Sequence, residues 1–353
     1  MRKILPLILC LLLLAGCSSS ETPAETTVPA TTAAETTAPE TTEAPTTAPA
    51  ETEPQEERFL LTFAGDCTFG SNPKNKYALS SFENTIKDNW AYPFANVLSY
   101  FENDDCTIVN LEGTLTETGP RMDKAFNFKG SPEYVHILTE NSVEAVSLAN
   151  NHSMDYGREG YDNTVATLSA AGVHYAETNK STVFTTESGL TIGIYGTVYF
   201  SMDVEHLVSE ITALKDSGVD VIIFAPHWGA EGYYKPNNVQ TDAAHAAIDA
   251  GAHIVWGSHP HVLQPIEEYN GGIVYYSMGN FSFGGNMYPD DYDTVLIQQE
   301  VIRHPDGTVT LGESTIVPCC LTSEKGHNNF QPTPYEEGSE KYLRVMKKLG
   351  LCE

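Results

Sequence analysis

Five short apolar runs, each stopping at a residue able to bind a metal ion, constrain this 353-residue chain more than any other feature. FLLTFAG stops at Asp66, and TIVN runs into Asn110-Leu111-Glu112-Gly113. VEAVSLA leads to Asn150-Asn151-His152, VIIFAP to His227-Trp228-Gly229, and HIVWGS to His259-Pro260-His261. Apolar runs of this length bounded by turn residues read as buried strands. In α/β sheets, ligand sites form beyond the carboxyl ends of the strands. A single Asp or Asn after a strand is an ordinary turn or cap residue. Five ends of this kind in one chain predict carboxylates and imidazoles gathered along one rim.

The segments between these runs favour helices. Tyr92 to Phe101, Pro132 to Leu138, Gly157 to Ala171, Val204 to Asp216 and Asn238 to Ala250 read as helical, and Gly172 and Gly251 stop two of them. Strands are expected at Phe59–Ala64, Thr107–Asn110, Val143–Leu148, Thr191–Tyr195, Val219–Phe224 and His253–Trp256. Later runs, at Ile273–Tyr276, Thr294–Ile302 and Thr308–Val317, are β-like with no helices between them. The pattern starts βαβα and finishes β-rich, which predicts a layered α/β sandwich.

The front of the chain cannot join that core. Arg2 and Lys3 precede an apolar run from Ile4 to Leu14, too short for a bilayer that needs roughly 20 residues but suited to a signal peptide. Leu14-Ala15-Gly16-Cys17 resembles a bacterial lipobox, which implies cleavage before Cys17 and a lipid on its sulfur. Residues 18–57 are Thr, Glu, Pro and Ala with nine Glu and no Lys or Arg. Such a segment has little to bury and is expected to stay an extended, disordered stalk. Residues 58–353 form the remaining domain, with 17 basic and 38 acidic residues. An excess of negative charge on that scale excludes a general nucleic-acid binder. Cys67, Cys106, Cys319, Cys320 and Cys352 show no C-x-x-C spacing and are expected to be mostly free, buried thiols.

Imidazoles mixed with Asp, Glu and an Asn carbonyl suit one or two divalent ions, with Mn, Fe or Zn favoured over Ca, which prefers an all-oxygen shell. Arg121, Lys124 and Lys129 follow Glu112 in sequence and are the nearest basic candidates for steering an anion.

The ordered set goes further than any one piece. Gly65-Asp66, Asn110-Leu111-Glu112-Gly113, Ala149-Asn150-Asn151-His152 with Asp155, His227-Trp228-Gly229 with Glu231, Gly257-Ser258-His259-Pro260-His261 with Gln264, and Tyr276 to Phe281 occur in that order. This series resembles the CapA/PgsA family of poly-γ-glutamate capsule synthesis proteins, related to calcineurin-like metallophosphoesterases. The resemblance implies a four-layer αββα sandwich with a metal centre on its rim. It implies metal ligation by Asp66, Glu112, Asn151, His227, His259 and His261. His152 would assist a leaving group and Asp155 would orient it, with Asn150, Glu231, Gln264, Ser277 and Asn280 around the substrate; Arg121 and Lys129 join that set by their place in the sequence. Thr68 stands where the phosphoesterases carry a histidine, and Glu112 where they carry an aspartate. A one-metal site, or a binding site without turnover, therefore stays open.

The lipobox implies a lipid-anchored protein on the outer face of a bacterial membrane, and the family resemblance implies work in polyglutamate synthesis or export beside the membrane components of the synthase. Its substrate would be an anionic polymer or a phosphoester. The alternatives are an extracellular phosphoesterase unrelated to capsule and a lipoprotein that binds a ligand without catalysis.

Overall fold

The computed structural model describes residues 55–199 and 203–352. The leader, Cys17 and the stalk as far as residue 54 lie outside them. Among the described residues, no helix is long and apolar enough to cross a membrane.

In chain order the first strands are β1 (Glu57–Thr68), β2 (Cys106–Leu111), β3 (Thr114–Leu115), β4 (Lys129–Gly130), β5 (Ala145–Ser147) and β6 (His174–Ala176). Next come β7 (Lys180–Thr185), β8 (Thr191–Tyr199), β9 (Val221–Trp228), β10 (Ile254–Trp256), β11 (Ile266–Tyr269) and β12 (Gly272–Tyr275). The last are β13 (Asn280–Phe283), β14 (Asp293–Arg303), β15 (Val309–Cys320) and β16 (Thr333–Pro334). The helices are α1 (Phe82–Ile86), α2 (Leu98–Phe101), α3 (Val135–Thr139), α4 (Gly157–Ala171), α5 (Val204–Asp216), α6 (Asn238–Ala250) and α7 (Glu340–Lys348).

Two sheets result. The first runs β16-β15-β14-β1-β2-β5-β6, with β13 added beside the end of β1. The second runs β11-β12-β10-β9-β8-β7. In each, parallel strands form the part that carries the five runs, and antiparallel strands are added to it.

Three apolar layers separate four layers of structure. Phe59, Leu61 and Phe63 alternate along β1 and pack against Ile192, Ile223 and Trp256 of the second sheet. Phe82, Phe94, Ile137 and Leu168 cover the other face of the first sheet. Leu207, Ile211, Ala244 and Ile248, from α5 and α6, cover the outer face of the second. Strands buried on both faces need no polar alternation, which is why they read as continuous apolar runs. This is the expected αββα sandwich.

Helices α4, α5 and α6 begin and end as read from the sequence. Gly172 closes α4 in the left-handed region at φ 76°. The helix expected at Tyr92–Phe101 is instead a 3-10 turn, Tyr92–Phe94, followed by the single turn of α2. Val97 leaves helical geometry at φ −125° between them, and Phe94, Val97 and Phe101 all reach the core. Glu57, the last residue assigned to the stalk, is the first of β1, where its carboxylate accepts from Arg303 Nε at 2.8 Å.

Candidate metal centre

The carboxyl ends of β1, β2, β5, β9 and β10 meet on one rim. Pairing between β1 and β2 shifts between Phe63 and Asp66, an irregularity of the kind that re-aims a side chain next to a site. β13 closes the same end of β1, with Asp66 N donating to Gly279 O at 2.9 Å. A Cβ on Gly65 would stand 2.0 Å from Gly279 O, so only glycine lets these two backbones touch.

Asp66 and Glu112 are fully buried. Asn110 joins them: its amide donates to Asp66 Oδ1 at 2.8 Å and reaches Glu112 Oε2 at 3.3 Å. His261 lies across the pair, with Nδ1 3.2 Å from Asp66 Oδ2 and Nε2 3.7 Å from Glu112 Oε1. His152 Nε2 approaches the same Glu112 oxygen at 3.8 Å. The two sheets are stitched at this point by His227 Nε2 and Asn151 Oδ1, 2.9 Å apart. The His259 ring lies beside that of His227, tilted by 54° with ring centres 4.6 Å apart, and its backbone N donates to Asp66 Oδ2 at 3.3 Å.

Outer hydrogen bonds fix the rings. Ser258 Oγ lies 2.8 Å from His227 Nδ1, so Nε2 is the nitrogen turned to the centre. Asn280 Oδ1 lies 2.9 Å from His261 Nδ1. Asp155 Oδ2 lies 2.7 Å from His152 Nδ1. Phe128 packs on the His152 ring at 4.4 Å.

Burial dominates the proton affinities. It drives His227 well below the ordinary imidazole range, with His259 and His261 adding to the effect. It likewise lowers His259 to about 4, helped by His261. His152 is lowered by burial and partly restored by Asp155. Burial raises Glu112 well above the carboxylate range. His261 behaves differently: burial opposes its protonation, but Glu112 and Asp66 outweigh that and lift it to about 9. The rim therefore offers mostly neutral imidazoles around carboxylates in a place that disfavours negative charge.

A divalent ion fits this arrangement. Glu112 Oε1 is buried without a hydrogen-bond donor, a costly state for a carboxylate oxygen. Two groups of donors lie within 4.8 Å of one another, Asp66 with Glu112 and His261, and Glu231 with His259 and His261. His261 belongs to both groups. Nitrogen and carboxylate donors without thiolate suit Mn, Fe or Zn. Cys67, directly after Asp66, is buried in the helix-side core with its thiol near Gly65 O.

The remaining candidates fall in different places. Glu231 is exposed and joins the second donor group. Asn150 is 2% exposed, and its amide is spent on Asn110 Oδ1 and Leu111 O, while its carbonyl accepts from His152 N. Gln264 bonds Tyr233 O and Gln240, and Ser277 bonds Val262 O, so both brace loops from inside. Arg121 is held by Asn127, and Lys129 reaches Glu117 O and the Tyr156 ring. Neither makes a hydrogen bond to the cluster. Lys124 does reach it, through Asn151 O at 2.7 Å. Asn110, Ser258 and Phe128 were not singled out from sequence; Asn110 and Ser258 stood inside quoted motifs, where their neighbours drew the attention.

The family described as bacterial capsule synthesis protein PGA_cap matches residues 60–285. The PGA biosynthesis protein CapA of Bacillus subtilis is 30% identical over 280 residues, covering 72% of this chain and 70% of that one. The capsule biosynthesis protein CapA of Bacillus anthracis is 28% identical over 288 residues, covering 73% and 67%. A solved chain of Staphylococcus aureus assigned as a 5′-nucleotidase superposes with a TM-score of 0.45 at 12% identity, covering 83% of this chain and 58% of that one. A match that takes in every one of the five strand ends means that the chain belongs to the bacterial capsule synthesis protein PGA_cap family.

Proposed function

We propose that this protein is a cell-surface accessory of poly-γ-glutamate capsule assembly whose rim hydrolyses a phosphoester with the help of a divalent metal. One observation carries the hydrolytic part: a buried, donorless Glu112 oxygen faces the Nε2 atoms of His261 and His152, and a carboxylate backs His152 on its far side. The relatives' names support the capsule part. Attachment to the outer face of the membrane through lipid on Cys17, and work beside polyglutamate synthase components, complete the reading.

Asp66, Glu112, Asn151, His227, His259 and His261 would hold the metal, with Glu231 as a further donor. Bound there, a divalent ion supplies Lewis acidity and water with a pKa lowered toward about 7. Asp66 and Glu112 would balance its charge, and Asn110 ties the two carboxylates together. Ser258 and Asn280 hold His227 and His261 in single ring orientations. His152 is placed to hold or hand over a proton at Nε2, next to the centre. The 17 basic and 38 acidic residues of the domain repel a polyanion at long range. That field decays over about 8 Å at physiological salt. An anionic substrate is therefore accepted only at the rim.

The test is metal analysis of the protein without its leader, followed by assay on phosphomonoesters and phosphodiesters. Metal-dependent turnover lost in His227→Ala supports the reading. Tight metal with no turnover on either ester class overturns the hydrolytic part. It would favour a second reading, a non-catalytic metal-dependent binding protein. Thr68 favours that alternative, because its hydroxyl is spent on Glu112 O at 2.8 Å where related enzymes carry a histidine.

A further inference from the structure

Behind His152 the Asp155 carboxylate is itself held by an arrangement around Lys124 that the metal reading does not use. Asp155 has a fully buried side chain. Its Oδ2 accepts from Phe128 N at 2.5 Å and faces His152 Nδ1 at 2.7 Å. Its Oδ1 lies 2.5 Å from Lys124 Nζ, a charge contact outside hydrogen-bond alignment. The same ammonium donates to Asn151 O at 2.7 Å. The loop carrying Lys124 is itself sewn to Asp155, since Met122 N donates to Asp155 O at 2.9 Å and Asn127 Nδ2 reaches the same oxygen at 3.3 Å. Arg121 in turn holds Asn127 at 2.7 Å.

We propose that Lys124 is a positioning residue that acts through Asp155 on His152, and that it is not an anion-steering group. Its ammonium bridges the backbone oxygen of one residue of the Asn151-His152 pair and the carboxylate behind the other. That bridge sets the distance between two loops and holds the Asp155 carboxylate in place against His152 Nδ1. An acceptor at Asp155 obliges His152 to present Nδ1–H to it and to turn Nε2 toward the centre. With only about a third of its side chain exposed (32%) and its ammonium directed inward, Lys124 offers little to a passing anion. The kinetic consequence rests on the phosphoester reading; the ring orientation does not.

The experiment compares Lys124→Met, which keeps the stem and removes the charge, with Lys124→Arg, which keeps the charge. On phenyl phosphate the methionine variant is expected to lose kcat by about 10- to 100-fold with KM little changed. The loss should be smaller on p-nitrophenyl phosphate, whose leaving group needs less protonation. The arginine variant should recover most of the rate, and Lys124→Met should cost nothing further in a His152→Ala background. A salt-dependent rise in KM at constant kcat would mean steering and would overturn the proposal. Equal losses on both esters that add to the His152→Ala loss would mean a merely structural role and would overturn it too.

If the wild-type protein turns over no ester, the phosphoester reading fails by itself. The positioning claim is then decided on the metal-free protein by imidazole nitrogen-15 spectra. A single Nδ1–H tautomer at His152 should become a mixture in Lys124→Met. An unchanged single tautomer there overturns the claim. Lys124→Gln serves as a second variant if the methionine substitution prevents folding.

Discussion

Asp66 and Glu112 on the rim and Asp293 on β14 are all essentially buried carboxylates, with exposures of 0%, 0% and 1%, yet their surroundings are opposite. Asp293 is saturated: Arg344 gives it two bonds at 2.6 and 2.7 Å, Lys348 one at 2.7 Å and Tyr335 one at 2.9 Å. Arg344 and Lys348 pin α7 to the first sheet; burial alone would raise Asp293, but these two cations outweigh it and hold it below its ordinary range. Glu112 has an oxygen with no donor, and the two imidazoles that approach it, His261 and His152, stop at 3.7 and 3.8 Å. A carboxylate given close cations by the chain itself serves structure. One with an oxygen the chain leaves without a donor is arranged for a cation from outside.

The comparison breaks most visibly at the ligands. His261→Ala, removing the imidazole shared by both donor groups, should weaken metal binding by at least about 100-fold, beyond the usual loss of an outer partner. Isothermal titration with Mn or Zn measures it, and wild-type affinity in that variant would sink the metal assignment. Asp293→Asn should leave the affinity unchanged. Chelation gives the reverse view. At free metal of about 100 times Kd, its removal should cost about 2.7 kcal/mol of stability, read as a drop in Tm. No drop would mean that the rim is stable without an ion.

Asp293→Ala should destabilise by about 2–3 kcal/mol in urea unfolding, the low side for a broken buried pair because Arg344 and Lys348 reach solvent. A change below about 1 kcal/mol would show that α7 is held by other contacts. The pH dependence has a definite sign. Asp293 has a folded pKa below its unfolded value of about 3.9, so its contribution is complete above about pH 4 and disappears as pH falls through the folded value.

A second pH dependence, opposite in sign, comes from Asp104, which burial pushes up to about 7 against the hydrogen bonds of Thr62 and Thr107. Its contribution is present below about pH 4 and is lost as pH rises toward 7. Asp104→Asn should therefore improve Tm relative to wild type at pH 8 more than at pH 5. Equal differences at the two values would show that Asp104 does not titrate there.

Helices α4, α5 and α6 were legible because residue spacing and composition are local signals, as are the glycines that follow α4 and α6. The five strand ends were legible because strands buried on both faces are apolar throughout and stop abruptly. Strand β13 was not, although its residues stood in a quoted motif: its pairing with β1 joins Asp66 to Asn280, and nothing local encodes a partner that distant. The same holds for the site. Asp66, Glu112 and the histidines could be picked by chemical type, but Asn110 acts through a carboxylate 44 residues away, a relation that exists only after the sheet forms. Gln264 and Ser277 show the converse, since polar residues beside a site brace its loops as often as they face it.

The loop after β10 has one more consequence. His259 and His261 sit at φ 96° and 57°, a region L-residues enter at a cost of order 1–3 kcal/mol each, with Pro260 between them. Glycine at either position would relax the backbone while deleting an imidazole. Random mutagenesis scored for folding alone should therefore drift toward glycine there and discard the site. Selection for the site has to work against the thermodynamic preference of its own loop, and a thermostabilised library of this protein is where that conflict would first become visible.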